Sequence, residues 1–62
     1  MTEEDIAREA IGTLEAIMTE AEEAGMDVEL SRRSLGIARN FLGMGRYEKA
    51  MAYCRMAEND IR

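Results

Sequence analysis

The sequence predicts an all-α protein, an antiparallel up-down-up three-helix bundle in one domain spanning residues 1–62. Three observations carry that expectation. The chain has no proline. Its apolar residues recur at spacings of three and four in three separate stretches, the period of a helix with one buried face. Those stretches stop at Gly25 and Gly45, where a helix C-terminus favours glycine, and connections this short make successive helices antiparallel.

The first helix is expected over about residues 2–24. Thr2 and Asp5 have the spacing of a capping box, and Glu3, Glu4 and Asp5 put negative charge where the helix dipole favours it. Ala7, Ala10, Leu14, Ile17, Ala21 and Ala24 form its core stripe, widened by Ile6, Ile11 and Met18. At ~100° per residue these nine positions share one arc of roughly 140°, with nearly all the acids outside it. Gly25 then takes the left-handed C′ position, with Met26 placed to contact Ala21.

Asp27 is the expected N-cap of a second helix, about residues 28–44. Its stripe reads Leu30, Ser34, Ile37, Ala38 and Phe41, with Leu35 and Leu42 on the flank. The opposite face carries Arg32, Arg39, Gly36 and Gly43. An interior glycine costs about 0.8–1.0 kcal/mol against alanine. Either Gly43 belongs to a frayed helix end and Gly36 is merely tolerated, or another backbone approaches that face.

The third helix is expected over about residues 46–61, with Tyr47, Ala50, Met51, Tyr53, Cys54, Ala57 and Ile61 facing the core. Cys54 lies mid-stripe and reads as a small buried apolar residue. Ala52 and Met56 lie on the far face, where a monomer has no use for them. The two turns echo each other at a 20-residue offset, pairing Ile17 with Ile37 and Gly25 with Gly45.

Charge is divided unevenly along the chain. The formal net charge is −5. Residues 1–29 hold ten acids and one base, whereas residues 30–62 hold seven bases, Arg62 among them, and three acids. Such a split suits an acidic helix lying beside a basic one, within the chain or across a dimer, and also suits three solvated faces. Fields of this kind orient association more than they add affinity.

Composition narrows the chemistry. The chain has no histidine and a single cysteine, so the commonest general base and metal ligand is missing and no intrachain disulfide can form. No second cysteine or histidine stands ready to activate Cys54. Adjacent carboxylates such as Glu3/Glu4 and Glu22/Glu23 point in different directions on a helix. No phosphate-cradling glycine loop and no calcium-loop spacing occurs. A non-enzyme without cofactor or metal is expected. The first 25 residues are too acidic for a signal or transit peptide, and no apolar run approaches the ~20 residues of a membrane span, so a cytoplasmic location is expected. The first helix is amphipathic, but its acidic polar face is wrong for anionic lipid.

The run Ile37-Ala38-x-x-Phe41-x-x-x-Gly45-x-Tyr47-x-x-Ala50-x-x-x-Cys54-x-x-Ala57 closely resembles one tetratricopeptide (TPR) helix-turn-helix unit. Small residues let the two helices approach and aromatics fill what remains. Ser34 stands where that family has a bulky aromatic, Arg46 replaces its common Asp, and no proline closes the unit. The whole chain resembles a three-helix module found in archaeal proteins, often in tandem. Ala21-x-x-x-Gly25-x-Asp27 and Ala38-x-x-x-Leu42-x-x-Gly45-x-Tyr47-x-x-Ala50 carry that likeness. Both resemblances imply interaction or assembly and no chemistry.

Helical repeats bury their faces by stacking on neighbours. The first helix can cover one side of a TPR-like hairpin, and the other side lacks a neighbour. The expected function is therefore non-catalytic protein–protein interaction or self-assembly, with a homo-oligomer favoured. Arg32, Gly36, Arg39, Gly43, Ala52 and Met56 are the candidate contact residues, with acidic first helices near Arg32, Arg33 and Arg39 of another copy. Six methionines suit an adaptable contact surface. The alternative is a nucleic-acid-binding, helix-turn-helix-like protein using Arg32, Arg33, Arg39 and Arg46. Against it stand a pI near 4.6 and an acidic helix that repels phosphate. Peptide recognition near Arg39 and Asn40 ranks below self-assembly, because one unit offers little concave surface.

Overall fold

The computed structural model describes residues 1–61; Arg62, counted above among the bases, lies outside the described residues. Three helices form: α1 (Glu3–Glu23), α2 (Glu29–Gly43) and α3 (Tyr47–Asn59). No strand occurs among the described residues. Each helix ends within two residues of its expected limits.

Side-chain pairs between helices fix the topology. Glu15 and Glu22, in order along α1, meet Arg39 and Arg32, in reverse order along α2. Ser31 near the start of α2 bonds Ala57 near the end of α3, and Tyr47 at the start of α3 bonds Glu4 at the start of α1. The path is up-down-up, in a body of 34 × 19 × 15 Å. All three helices pack on one another, with α2 and α3 the most extensively joined pair.

Local signals act as the sequence implies. The Thr2 hydroxyl accepts from the Asp5 amide and the Asp5 carboxylate accepts from the Thr2 amide, both at 3.2 Å, completing the capping box. After α1, Gly25 at φ 82° lets the Met26 amide reach back to the Ala21 carbonyl and its own amide to Glu22, both at 2.9 Å. Gly45 at φ 77° repeats this, with Arg46 bonding Phe41 at 2.9 Å and Gly45 bonding Leu42 at 3.1 Å. These are two Schellman turns, each satisfying carbonyls that the helix leaves open.

The start of α2 differs from expectation by one residue. Val28 takes the cap position and is buried, while Asp27 accepts from the Glu29 amide at 3.0 Å. The carboxylate still holds the first turn, acting from one position further back in an Asx-type turn.

The core is built on small residues. Ala7, Ala38, Ala50 and Ala57 are fully buried, and Cys54 nearly so. Leu14, Ile11, Met18, Leu35 and Val28 fill the space between the helices. Short side chains at the contacts bring helix axes close, and bulky ones from α1 interdigitate.

Two parts of the expected core lie outside it. In α1, Ile6 and Ile17 are exposed, so the buried arc is narrower than the apolar one. In α2, the buried residues are Ser31, Ser34, Leu35 and Ala38, whereas Leu30 is 59% and Ile37 39% exposed. The α2 core face is turned toward Leu35 and away from the Leu30–Ile37 line. The reason lies in width. Apolar residues of α2 span roughly 160° of its circumference, wider than the face that packs, and the fully buried Ser31 and Ala38 lie on that face, Ser31 bonded to Ala57 of α3.

Candidate protein interface

The residues turned out of the α2 core form a line of their own. Leu30, Ile37 and Met44 are spaced by seven and lie within ~40° of one another around the helix. They are 59%, 39% and 62% exposed. Phe41, half-buried, borders this line on the α3 side. On α3 the neighbouring outward positions are Lys49, Tyr53 and Met56, with Met56 50% exposed. Helical geometry and the antiparallel pairing put Met56 between the heights of Leu30 and Ile37.

Aromatic contacts knit this face across the hairpin. The Phe41 and Tyr53 rings stack with centroids 5.5 Å apart at 25°, and the Lys49 ammonium sits 5.5 Å from the Phe41 ring centre. Both are geometries that the ring quadrupole favours. The hairpin thus presents a firm apolar surface on the side away from α1. Exposed apolar residues gathered on one face mark contact surfaces more often than scattered ones do.

Beneath it the hairpin is pinned by a serine. The Ser31 hydroxyl, fully buried, donates to the Ala57 carbonyl at 2.6 Å. No buried side-chain oxygen or nitrogen among the described residues lacks a partner.

The candidate contact residues divide into two groups. Arg32 donates to Glu22 at 2.7 Å and Arg39 to Glu15 at 2.6 Å. Both pairs join α2 to α1 along a shallow groove of about 260 Å³, with Gly36 and Leu35 on its wall. The acidic helix therefore lies beside the basic one within the chain. Arg33 makes a looser pair at 3.8 Å with Glu29 of its own helix. Gly36 and Gly43 are exposed, with open space where a Cβ would stand, so among the described residues no other helix's backbone approaches that point. Ala52 and Met56 fall in the second group, both exposed on α3, with Met56 on the side of the apolar line and Ala52 opposite the core. The structure separates the arginine–glycine side from the methionine side.

Three features had little or no announcement in the sequence. Ser31 looks like any helix-start serine. Tyr47 donates to the Glu4 carboxylate at 3.1 Å, a contact across 43 positions; Glu4 also takes a bond from Arg8 at 2.9 Å. The hydrogen bond to Glu4, then burial and the nearby carboxylate charge, raise the Tyr47 hydroxyl above its ordinary value. The Leu30–Ile37–Met44 line was visible as heptad spacing, but merged with the core stripe beside it.

Burial, with a smaller push from Glu58, raises the Cys54 thiol. It is shielded inside the bundle and disfavoured as a thiolate. Among the described residues no three His, Cys, Asp or Glu side chains gather as a metal site, and no helix is long and apolar enough to cross a membrane.

No family model matches the chain, and neither a curated protein nor a solved structure does. Fold and surface together define the class: a small all-α three-helix bundle with an uncovered apolar hairpin face.

Proposed function

We propose that the chain is a non-catalytic protein–protein interaction or self-assembly module, and that the outer side of the α2–α3 hairpin is its contact surface. One observation carries this reading: Leu30, Ile37, Met44 and Met56 are all at least 39% exposed on one side of the molecule. A chain of 62 residues has few apolar side chains to spare for its surface, because a core this small yields only about 3–5 kcal/mol. The TPR-like pattern points the same way, since a hairpin of that kind leaves one side for the next helix. The face suits an apolar helical surface, and its methionines can repack against one.

The nucleic-acid reading loses support from the ion pairs. Arg32 and Arg39, two of its four arginines, are already held by Glu22 and Glu15, and carboxylates beside them offset the field a phosphate would feel.

The mass of the native species in an extract of its own cells tests the proposal. A species larger than 7.0 kDa that falls to the monomer mass on Ile37→Asp supports it. A chain that runs as a monomer both in extract and when purified at hundreds of micromolar contradicts it.

A further inference from the structure

We infer that the occupant of the α2–α3 outer face is a second copy of this chain, docked antiparallel about a two-fold axis that passes beside Ile37. The inference rests on the reading of that face as a contact surface and adds its partner and register.

The first support is the symmetry of the line itself. Leu30, Ile37 and Met44 are evenly spaced, so reversing the helix about Ile37 exchanges the two ends. A two-fold there sets Ile37 against the partner's Ile37 and Leu30 against the partner's Met44. An isologous contact requires a patch complementary to itself in this manner.

The second support is charge. On the outward side of α3, Lys49 lies toward the turn end and Asp60 toward the open end, with Ala52, Tyr53 and Met56 between them. Asp27 adds to the acid at the open end, where Arg33 offsets Glu29, and Arg46 adds to the base at the turn, where Glu48 offsets one of the two cations. The same two-fold carries the basic end of each hairpin toward the acidic end of its partner. A parallel arrangement would bring like charges together. Opposed fields of this kind select orientation.

Size sets the strength. The helix α2 has 15 residues, which at 1.5 Å each is roughly 22 Å of length. A strip that long and about 20 Å wide covers roughly 450 Å² per copy, at the small end of specific interfaces. Association in the micromolar range, roughly 1–100 μM, is expected from such a contact.

Sedimentation equilibrium on the purified chain, with cysteine variants in a Cys54→Ala background, tests this. The unaltered chain should show a reversible monomer–dimer equilibrium in that range. Ile37→Cys should oxidise readily to a linked dimer. Leu30→Cys alone should not, whereas a mixture of Leu30→Cys and Met44→Cys should link to each other. Ile37→Glu, which keeps its helical circular dichroism because position 37 is exposed, should weaken association by roughly a hundredfold or more, the change counting once from each copy. A chain that stays monomeric at hundreds of micromolar overturns the inference. If it then joins a larger species in cell extract, the contact surface stands and only the second copy is refuted. Linkage of Leu30→Cys to itself as fast as Ile37→Cys overturns the antiparallel register.

Discussion

Single residues decide how firmly the hairpin is held. The Ser31 hydroxyl reaches the Ala57 carbonyl at 2.6 Å, and that carbonyl also accepts the Asp60 amide at 3.2 Å. Removing the hydroxyl thus costs a hydrogen bond without stranding the carbonyl. Ser31→Ala should destabilise the fold by about 1 kcal/mol, the net worth of one bond and not of an orphaned group; urea unfolding of the dilute chain measures it. Cys54 should be inert to a thiol reagent at neutral pH in native protein and react at once in denaturant, because the bundle both covers and neutralises it. Tyr47 gives a pH signature. Its hydroxyl titrates higher in the folded chain than unfolded, so the stability it contributes is complete below the ordinary tyrosine value and lost as pH rises through the folded one. Unfolding curves collected from pH 9 to 11 should show a steeper alkaline loss for the native chain than for Tyr47→Phe.

Helix ends and glycines belong to the scale of elements. Gly25 at φ 82° occupies a region that costs any side chain energy. Gly36 sits in ordinary helix with open space where a Cβ would stand. Gly25→Ala should therefore destabilise by about 1–2 kcal/mol, whereas Gly36→Ala should stabilise by roughly 0.4–1 kcal/mol; thermal unfolding of the two variants side by side checks the opposite signs. Helix number, the capping box and both glycine turns were legible in the sequence because each rests on contacts within six residues. The face of α2 was not. Leu30, Ile37 and Leu35 have the same hydropathy, and which of them is buried depends on how α2 rolls against α1 and α3. Ser31 and Ala38, both fully buried, mark the face that packs, and that roll is a tertiary effect that no window of α2 contains. Ile6 and Ile17 were misplaced for the same reason, at the edge of a broad stripe. The arginine pairs were legible only as a charge imbalance; their partners, Glu15 and Glu22, became fixed when the helices met.

At the scale of the whole molecule, one bundle has two unlike sides. Along α1 and α2, charged pairs close a groove within the chain. Along α2 and α3, aliphatic and methionine side chains face outward around a stacked aromatic pair. The division follows from three helices having one core to share, which leaves the hairpin's second side without a cover. Both sides follow from the roll of α2, which buries Leu35 in the core and leaves Ile37 on the exposed face. Thermal unfolding of Leu35→Ala and Ile37→Ala, run dilute enough that the chain is monomeric, tests that claim most directly. Leu35→Ala should cost about 2–4 kcal/mol by opening a cavity, and Ile37→Ala less than about 1 kcal/mol. Equal losses, or the larger loss at Ile37, would contradict the assignment of the two faces.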